Sequence, residues 1–597
     1  MSLLDVKGLT ISYAGASEPA VDRLDLSIDA GDSLGLVGES GSGKTQTALA
    51  IMGLLAAQAK VEGQVLFDGV TLSGRTQVFL NRFRARRLAM VFQDPQQALN
   101  PYLTIGDQLK RVLLEHRVVD ANAARSRALE LLRRVRLPDA ARQYRSYPHQ
   151  LSGGMRQRAM IALALCCEPE LLIADEPTTA LDVTVQAQVL SLLKDLRAQT
   201  GIALLLITHD LGVVAENCER ILVMRRGRLL EEGSTRSVFR TPRHRRTRQM
   251  LAAAVRLDHA PPEKPPDTSG PILEVDRLNI RFRDAPAGLK RRLRRGVVRN
   301  FSFSLAPCET LGIVGESGCG KTSLARSIVG LIAADSGSVS LCGERLADSV
   351  SDRSLADRRR LQMVFQDPVA SLSPAMRVGS IIAEPVALHE PHLGRRERRD
   401  RVASAMSRAG LDRALLERYP HELSGGQAQR VAISRALVLQ PKVLICDEAV
   451  AALDGTVRRA ILDLLATEQR RSGLSLVFIT HDLAVVRQIS HRVLVMYMGE
   501  IAELADNETL FARPRHPYTR ALLNAVPQAD PERVPEIVPI KGEVTGERPP
   551  GCPFHPRCAY AVARCRDEMP LQRRVDGVEV ACHRAEELDL RSGALHK

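Results

Sequence analysis

Short apolar runs recur along the chain, and each one ends in glycine, acidic or histidine residues. In the first half, residues 32–37, 171–174 and 203–207 form such runs and predict buried strands. The segment TQTALAIMGLL, which begins at Thr45, predicts a helix directly after the first of them. The N-terminal stretch MSLLDVKGLTISY alternates between apolar and polar positions, as an edge strand does. The pattern favours an α/β fold.

The same pattern returns in the second half, where residues 311–314, 444–446 and 475–479 are the apolar runs. The polar residues that follow the runs keep their spacing. The repeated pairs are Ser152 and Ser424, Asp175 and Asp447, and His209 and His481, each 272 positions apart, and Gln93 and Gln366, 273 apart. The chain is therefore predicted to be a duplication, with a first domain at residues 1–250 and a second at 272–512.

Residues 251–271 form the predicted linker between the halves, and residues 513–597 form a C-terminal extension. The linker contains the Pro-rich stretch HAPPEKPPDTSGP, which lacks helical or strand periodicity. A semi-extended tether of this kind advances ~3.1 Å per residue, so it spans on the order of 35 Å. Tethering places one half at roughly millimolar effective concentration near the other, which favours an intramolecular pair.

The composition is that of an ordinary soluble globular protein, with 45% hydrophobic and 25% charged residues in 597. The N-terminus shows no signal peptide, and no apolar stretch reaches the ~18–20 residues that a membrane span needs. We therefore expect a cytosolic chain that does not cross a membrane. The net charge of +14 is compatible with anionic lipid, nucleic acid or neither. Eleven cysteines without a secretion signal argue against a disulfide scaffold.

The first predicted strand leads into GESGSGKT, a phosphate-binding P-loop in its strand, loop, helix context. Its glycines let backbone N–H groups surround phosphate oxygens, the lysine reaches the outer phosphates, and the threonine hydroxyl binds Mg²⁺. The predicted loop residues are Gly38, Ser40, Gly41, Gly43, Lys44 and Thr45 in the first half, and Gly315, Ser317, Gly318, Gly320, Lys321 and Thr322 in the second.

An Asp-Glu pair follows the second buried strand of each half. The aspartates, Asp175 and Asp447, are predicted to hold Mg²⁺, because an acidic side chain at this strand end faces the phosphates. The adjacent glutamates, Glu176 and Glu448, are predicted general bases for the attacking water. The third strand ends at His209 or His481, which we expect near the γ-phosphate.

LSGGMRQR at residues 151–158 and LSGGQAQR at 423–430 complete the set. With the P-loop, the Asp-Glu pair and the histidine in this order, each half resembles the nucleotide-binding domain of an ABC ATPase. The resemblance implies tandem P-loop NTPase domains, each with an α/β core, an antiparallel β subdomain and a helical subdomain. It also implies that Gln93 and Gln366 contact Mg²⁺ and the γ-phosphate, and that Tyr13 and Phe282 stack on adenine.

The same resemblance implies a head-to-tail ATP sandwich, in which the LSGG motif of one half completes the ATP site of the other. The implied phosphate-binding residues are Ser152, Gly153 and Gly154 in the first motif and Ser424, Gly425 and Gly426 in the second. The second half replaces DEPTT by DEAVA, with Ala449 and Ala451. We favour neutral drift, since both glutamates remain, and expect two hydrolytically competent sites. Any asymmetry should appear first at the site completed by Ser152.

The C-terminal extension contains Cys552, Cys558, Cys565 and Cys582 at spacings unlike the CxxC pairs of most zinc sites. Four thiolates satisfy either zinc or an iron–sulfur cluster. The cysteines and the segment PRHPYTRALLNAVP are similar to the extension of the oligopeptide/dipeptide branch of ABC importer ATPases, which implies a 4Fe–4S cluster, with zinc as the alternative. The first half keeps Pro-Arg-His at 242–244 but lacks the Pro-Tyr.

These resemblances predict an ATPase coupled to transmembrane transport, the motor subunit of a bacterial ABC importer for di-/oligopeptides. The implied partners are two membrane permease subunits, an extracytoplasmic solute-binding protein and the membrane surface, with no nucleic acid. The implied location is peripheral, on the cytoplasmic face of the plasma (inner) membrane. The basic run LKRRLRR at 289–295 is either a solvated loop or a contact for anionic lipid headgroups.

Three other functions of ABC-type ATPases can be compared with the peptide importer by their sequence motifs. A soluble twin-cassette ATPase acting on ribosomes usually carries Asn-His before the Leu-Asp that follows the Asp-Glu strand, where this chain has Thr179-Ala180 and Ala451-Ala452. A DNA-repair ATPase would have a zinc hairpin or a long coiled coil interrupting each half. Importer ATPases for nickel chelates or sugars share the motifs seen here, so the transported substrate stays open.

Overall fold

The computed structural model describes residues 2–179, 181–254, 257, 262–263, 270–283, 294–450, 453, 455–533, 540, 542 and 548–591. It divides into two compact units, Met1–Ala254 with Ala525–Glu536, and Val255–Asn524 with Ile537–Lys597. Most of the predicted linker, residues 289–293 of the basic run, Ala180, Ala451 and Ala452 lie outside the described residues. Predictions about them stay predictions.

The strands of unit 1 follow the predicted apolar runs closely. They are β1 (Ser2–Tyr13), β2 (Val21–Asp29), β3 (Ser33–Gly38), β4 (Ala59–Phe67), β5 (Val70–Thr71), β6 (Leu88–Val91), β7 (Leu171–Asp175), β8 (Ala203–Thr208), β9 (Arg220–Arg225) and β10 (Arg228–Ser234).

The helices of unit 1 include a group between β6 and β7 that forms the helical part. In chain order they are α1 (Lys44–Met52), α2 (Gln77–Leu80), α3 (Pro95–Ala98), α4 (Ile105–Glu115), α5 (Ala124–Arg134), α6 (Ala140–Tyr144), α7 (Gly153–Ala164), α8 (Val183–Thr200), α9 (Leu211–Asn217), α10 (Thr235–Arg240) and α11 (Arg245–Ala253).

The central strands of unit 1 are apolar because both faces of their sheet are covered. The described part of the unit has a six-stranded sheet in the order β10-β9-β3-β8-β7-β6, with β10 antiparallel and the others parallel. All residues of β3, β7 and β8 are buried. Along β7, Leu171 and Ile173 join one hydrophobic cluster, and Leu172 and Ala174 join another.

The two clusters define the remaining parts of the unit. The cluster that contains Leu171 and Ile173 also contains Leu4 and Phe67, which belong to an antiparallel sheet in the order β2-β1-β4-β5. The second contains Leu109 of α4 and Leu131 of α5. The unit therefore has an α/β core, an antiparallel β part and a helical part, as predicted.

Unit 2 repeats this arrangement. Its strands are β11 (Leu273–Arg283), β12 (Arg294–Leu305), β13 (Thr310–Val314), β14 (Ser336–Leu341), β15 (Glu344–Arg345), β16 (Leu361–Val364), β17 (Val443–Asp447), β18 (Ser475–Ile479), β19 (Arg492–Tyr497), β20 (Glu500–Asp506), β21 (Arg573–Val575) and β22 (Val578–Val580).

The helices of unit 2 follow the order of those in unit 1, except that a short 3-10 helix at Arg413–Glu417 stands in place of α6, and one more helix lies in the extension. They are α12 (Lys321–Ile328), α13 (Leu355–Arg360), α14 (Pro368–Ser371), α15 (Val378–His389), α16 (Arg395–Arg408), α17 (Gly425–Leu437), α18 (Gly455–Ser472), α19 (Leu483–Ile489), α20 (Asn507–Ala512), α21 (Pro517–Asn524) and α22 (Ala563–Asp567).

The core sheet of unit 2 is extended by the C-terminal region. Its described order is β16-β17-β18-β13-β19-β20-β22-β21, so the hairpin β21–β22 pairs with β20, the equivalent of β10. The pairing joins Glu503 to Val580 and Leu504 to Glu579. The extension is thus built onto the second unit as part of its sheet.

A segment that follows α21 belongs to unit 1, and we call residues 525–533 the C-terminal strap. The backbone N–H of Gln528 donates to Glu216 Oε1 on α9 at 3.0 Å, and Arg533 Nη1 lies 3.3 Å from the same oxygen. Ala529 joins the hydrophobic cluster of unit 1. A Cβ at Gly212 would lie 2.9 Å from the Pro527 carbonyl, so glycine allows the close approach.

Across the residues that the structure describes, no helix is both long enough and apolar enough to span a bilayer.

Candidate functional site

The P-loop of unit 1 lies between β3 and α1. Lys44, the first residue of α1, is buried, and its Nζ donates to the carbonyls of Gly38 at 2.8 Å and Glu39 at 3.0 Å. Gly43 has φ 98, and a Cβ there would collide with the carbonyl oxygen of Ala20. Only glycine therefore allows this turn, which aims the first N–H groups of α1 into the loop.

Unit 2 builds the same loop between β13 and α12. Lys321 Nζ donates to the carbonyls of Gly315 at 2.7 Å and Glu316 at 3.0 Å. The other predicted loop residues stand between the strand and the helix of their unit: Ser40 and Gly41 in unit 1, and Ser317, Gly318 and Gly320 in unit 2. Each unit therefore presents a phosphate-binding cradle.

An aspartate at the end of the next strand faces the first helix of each unit. Thr322 Oγ1 donates to Asp447 Oδ1 at 3.3 Å, and Thr45 makes the equivalent bond to Asp175. Burial raises the pKa of Asp175 to about 6, the Glu176 charge adds to the rise, and the Thr45 bond opposes it. Oδ1 of Asp175 is buried without a hydrogen-bond partner. A hydroxyl beside a buried carboxylate with an unsatisfied oxygen fits the oxygen-donor preference of Mg²⁺.

Glu176 sits at the centre of a cluster of polar side chains. Its Oε2 accepts from Gln93 Nε2 at 3.1 Å and from Thr179 Oγ1 at 2.8 Å, and its Oε1 lies 3.3 Å from His209 Nδ1. Burial raises the pKa of Glu176, but the hydrogen bonds and the His209 charge outweigh it and lower the pKa to about 2. The carboxylate is therefore ionised at neutral pH.

Glu448 is held in the same way in unit 2. Its Oε2 accepts from Gln366 Nε2 at 2.7 Å, and its Oε1 lies 3.3 Å from His481 Nδ1. Burial raises the pKa of Glu448, and the His481 bond and charge outweigh it, so the pKa is lowered. The structure thus brings together the glutamate, glutamine and histidine predicted for each half.

Both glutamates have a left-handed backbone, a feature that no pattern in the sequence indicates. Glu176 has φ 45 and Glu448 has φ 49, a region that L-residues rarely adopt. Their N–H groups are fixed by hydrogen bonds to the carbonyls of Ile207 at 2.8 Å and Ile479 at 2.9 Å on the adjacent strand. Strained backbone of this kind clusters at functional sites.

The difference between DEPTT in the first half and DEAVA in the second changes the hydrogen bonds that the glutamate of each motif accepts. In unit 1 the Thr179 hydroxyl donates directly to Glu176 Oε2 at 2.8 Å. Ala451 stands at the equivalent position of the second half and carries no hydroxyl. Glu448 therefore lacks a donor that Glu176 has.

The LSGG motifs form exposed helix N-termini. Ser152 caps α7, with its Oγ accepting from Met155 N–H at 3.2 Å, and Ser424 caps α17 by the same contact to Gln427 at 3.3 Å. The residues Ser152, Gly153, Ser424 and Gly425 are exposed, Gly154 is buried and Gly426 is partly buried. A helix N-terminus of this kind favours an anion.

The predicted adenine-stacking residues lie at the ends of the first strand of each unit. Tyr13 ends β1, is partly exposed, and donates its hydroxyl to Gln46 Oε1 on α1. Phe282 lies near the end of β11 with 41% of its surface exposed. Each ring is therefore accessible for a flat ligand.

The four cysteines of the extension are close to one another but form no metal site in the described residues. Burial raises the pKa of Cys558 to about 12 and of Cys582 to about 11, and the charges of Cys552 and Cys565 raise both further. Within the described ranges, no group of three or more His, Cys, Asp or Glu side chains could hold a metal ion. The predicted 4Fe–4S or zinc site is therefore not supported by the geometry.

Comparison with known proteins gives two family matches. A family model described as "ABC transporter" matches residues 21–179 and 298–451, and a model described as "Oligopeptide/dipeptide transporter, C-terminal region" matches residues 502–565. The first covers the P-loops, the LSGG motifs and the Asp-Glu strands of both units. The second covers the strap and three of the four cysteines.

The chain is also similar to curated proteins over most of its length. It is 44% identical over 565 residues to the glutathione import ATP-binding protein GsiA of Pectobacterium atrosepticum, covering 89% of this chain and 90% of that protein. It is 44% identical over 566 residues to GsiA of Salmonella paratyphi A, with the same coverage. A solved dimeric ATP-binding cassette with ADP and Pi is 30% identical at a TM-score of 0.36, over 39% of this chain and 98% of that one.

Proposed function

The chain belongs to the ABC transporter ATPases, in their oligopeptide/dipeptide importer branch, and we propose that both of its units bind and hydrolyse ATP to drive peptide import. The observation that carries the proposal is the glutamate cluster beside each P-loop. Glu176 with Gln93 and His209, and Glu448 with Gln366 and His481, repeat one arrangement. Duplication of the whole cluster, and not only of the P-loop, supports two active units.

In the proposed reaction, the ionised glutamate accepts a hydrogen bond from the attacking water and orients it toward the γ-phosphate. The glutamine and histidine that contact the same carboxylate keep it in place. The lysine at the start of α1 or α12 and the N–H groups around it bind the phosphate charge. Mg²⁺ would neutralise charge on the phosphates. In unit 1 it would be held by Thr45, Asp175 and Gln93, and in unit 2 by Thr322, Asp447 and Gln366. Positioning and electrostatics account for most of the catalysis.

We propose that each ATP is completed by the LSGG motif of the other unit, in a head-to-tail sandwich. The exposed N-termini of α7 and α17 support this, because the positive end of a helix suits a γ-phosphate supplied by a partner. Tyr13 and Phe282 would stack on the two adenines. ATP binding would then close the pair, and hydrolysis would release it.

The proposed cargo is a short peptide, with glutathione as the first candidate. The relatives are named for glutathione import, and the match of residues 502–565 names oligopeptides and dipeptides. Nickel chelates and sugars, or a role on ribosomes, have no comparable support. Peptide selectivity would reside mainly in the partner subunits.

The proposed partners are two membrane permease subunits and, through them, an extracytoplasmic solute-binding protein, with the chain peripheral on the cytoplasmic face of the inner membrane. An apolar groove of about 360 Å³ in unit 2 supports permease docking. Its lining includes Leu331, Met363, Phe365 and Pro385. Leu331 is half exposed and contributes to a continuous apolar surface with these neighbours.

We also propose that Cys552, Cys558, Cys565 and Cys582 hold a structural 4Fe–4S cluster, with zinc as the alternative. Beyond the effect of burial, the charges of Cys552 and Cys565 raise the pKa values of Cys558 and Cys582 because the thiols lie close together, and this proximity supports the proposal. The test is anaerobic purification followed by iron, sulfide and zinc analysis. Four iron and four sulfide per chain are expected for a cluster. Stoichiometric zinc without iron would contradict the cluster, and neither metal would contradict both.

The experiment that tests the main proposal combines co-purification with transport. After mild detergent extraction, two permeases should co-purify with the chain, whereas sedimentation with ribosomes would support the ribosomal alternative. Vesicles that contain the complex and the binding protein should accumulate labelled glutathione when ATP is supplied. The double variant Lys44→Ala, Lys321→Ala should abolish accumulation, and Arg564→Ala, in an exposed surface ion pair, should leave it unchanged.

A further inference from the structure

The P-loop of unit 2 is fixed by the cysteine-rich extension. Arg557 Nη1 and Nη2 donate to the two carboxylate oxygens of Glu316 at 2.6 and 2.9 Å. Glu316 is the second residue of the P-loop, and its carbonyl accepts from Lys321 Nζ. The side chains of Arg557 and Glu316 are only 6% and 5% exposed. A bidentate pair in this environment has a narrowly defined geometry.

A second contact from the same region reaches the same P-loop residue. The backbone N–H of Glu316 donates to the Tyr518 hydroxyl at 3.0 Å. Tyr518 is fully buried and packs against Tyr497 and Phe554, with ring centroids 4.6 and 5.3 Å away. Both the backbone and the side chain of Glu316 are therefore held by residues that follow the ATPase core in sequence.

In unit 1 the equivalent P-loop glutamate is held by a residue of α11 and not by a C-terminal extension. Glu39, the equivalent of Glu316, is paired with Arg246 of α11 at 2.9 Å. Arg246 and Tyr518 both follow a Pro-Arg-His segment by two positions, so the arginine occupies the place of the tyrosine. Both side chains of the unit 1 pair are 25% exposed, so that pair is more open to solvent.

We propose that Arg557 is a positioning residue for the ATP site of unit 2, acting through Glu316. It ties the conformation of that P-loop to the segment between Cys552 and Cys558. The affinity of unit 2 for ATP then depends on an intact cysteine-rich extension, whereas the affinity of unit 1 does not. This inference rests on the proposed ATP site of unit 2.

The reason lies in the energetics of a buried ion pair. Removing Arg557 takes a positive charge and two hydrogen bonds from the buried Glu316 carboxylate, next to the loop that must accept phosphates. The loop then rearranges to expose the carboxylate, and the N–H groups lose their alignment. Since breaking one side of a buried pair is strongly destabilising, we expect ATP affinity at unit 2 to fall about tenfold or more.

The test is photolabelling of the full chain with azido-ATP, followed by proteolysis and assignment of the label to unit 1 or unit 2. Arg557→Ala should lower labelling of unit 2 at a given azido-ATP concentration and leave unit 1 unchanged. The matched variant Arg246→Ala should lower labelling of unit 1 and leave unit 2 unchanged, with a smaller effect because its pair with Glu39 is more exposed to solvent. Arg564→Ala, on the same extension but in an exposed pair, should change neither.

A positioning role also makes predictions that general destabilisation does not. Unit 2 labelling should recover at saturating azido-ATP, so that KM changes more than kcat. Arg557→Lys should retain part of the affinity. The double variant Glu316→Gln, Arg557→Met should bind ATP no more weakly than either single variant, because both act through one contact.

Unchanged labelling in Arg557→Ala, equal loss in both units, or additive effects in the double variant would overturn the inference. Absence of labelling at either unit of the unsubstituted chain would instead contradict the proposed ATP sites themselves. The two failures are therefore distinguishable.

Discussion

The Thr179 hydroxyl donates a 2.8 Å hydrogen bond to Oε2 of Glu176, and the second half has Ala451 at the corresponding position. The carboxylate of unit 1 is therefore held by three neighbours, Gln93, His209 and Thr179. That of unit 2 has the glutamine and the histidine but no equivalent hydroxyl. The difference lies at the carboxylate that we propose orients the attacking water, so it should affect the hydrolysis rates of the two units differently.

Removing the hydroxyl should slow hydrolysis in unit 1. In a Glu448→Gln background, where only unit 1 turns over, we expect Thr179→Ala to lower kcat about tenfold, because hydrogen bonds to charged groups contribute about 1.5 kcal/mol or more. Steady-state ATPase rates measure the effect. Thr179→Ser keeps a hydroxyl and should stay near the parent rate. An equal loss in Thr179→Ser would mean that the hydroxyl is not the relevant group.

Glu503 in unit 2 and Glu231 in unit 1 occupy equivalent positions, and their contributions to folding stability should depend on pH in opposite directions. Glu503 of β20 is buried, and burial raises its pKa to about 7, although the N–H groups of Arg515 and His516 oppose the rise. A raised pKa means that stability is present at low pH and is lost as pH rises through about 7. The stability difference between the parent chain and Glu503→Gln should therefore fall between about pH 5 and 7 and then level off.

The matched control is Glu231 of β10, which accepts from the N–H groups of Arg243 and His244. Burial raises the pKa of Glu231, but these bonds outweigh it and lower the pKa. The stability that Glu231 contributes should be present above the ordinary glutamate pKa and be lost on acidification. The stability difference between the parent chain and Glu231→Gln should therefore rise with pH, the reverse of the trend for Glu503→Gln. Thermal unfolding at a series of pH values measures both. His516 titrates in both chains of each comparison and cancels. Parallel pH profiles for the two variants would contradict the assignment.

The C-terminal strap should depend on Glu216. Because one carboxylate accepts both the Gln528 N–H and Arg533, Glu216→Ala should increase hydrogen exchange of peptides that cover the strap by about fivefold per lost bond. Arg533→Ala removes the bonds of its guanidinium to Glu216 and to the Val526 carbonyl, so it should have a comparable effect. Glu532→Ala disrupts only the exposed pair with Arg240 and should change little. Equal exchange in all three variants would argue against a docked strap.

The P-loop glycines should differ in their tolerance of a side chain. Gly43→Ala combines a left-handed φ with a collision against the Ala20 carbonyl, so it should destabilise unit 1 well beyond the ~1–2 kcal/mol of backbone strain alone. Gly41→Ala has a left-handed φ but no neighbour within 4 Å, so strain alone should apply. Thermal unfolding without nucleotide compares them. Equal losses would indicate that the collision is relieved.

The core strands and the motifs that follow them could be predicted from the sequence, because each depends on residues that are close together in the chain. The apolar runs at 32–37, 171–174 and 203–207 correspond to β3, β7 and β8 within one residue at either end, because a strand covered on both faces must be continuously apolar. The P-loops, the Asp-Glu pairs and the histidines follow those strands, so their convergence was predictable from the order of elements. In each unit the glutamine and the histidine lie within hydrogen-bonding distance of the glutamate.

The remaining features depend on contacts between distant residues. Arg557 and Glu316 are 241 positions apart, and nothing near either one indicates the pairing. The strap follows a helix of unit 2 in sequence but packs on unit 1, which its own composition does not reveal. The left-handed backbone of Glu176 arises from its anchoring to β8, since glutamate has no preference for that conformation. One signal was available: the change from Pro-Tyr to Arg-Arg at 245–246 marked a difference in how the two P-loops are held.

The central claim is that both units hydrolyse ATP, and the ATPase rate of Glu176→Gln and Glu448→Gln, each in the complex with its permeases, tests it most directly. Glutamine preserves shape and removes the charge, so each single variant should lower turnover, with the larger loss in Glu176→Gln because unit 2 lacks an equivalent of the Thr179 hydroxyl, and the double variant should lose nearly all of it. Glu568→Gln, an exposed surface glutamate, is the matched control. Full turnover in Glu448→Gln alone would contradict the claim and leave unit 1 as the only motor.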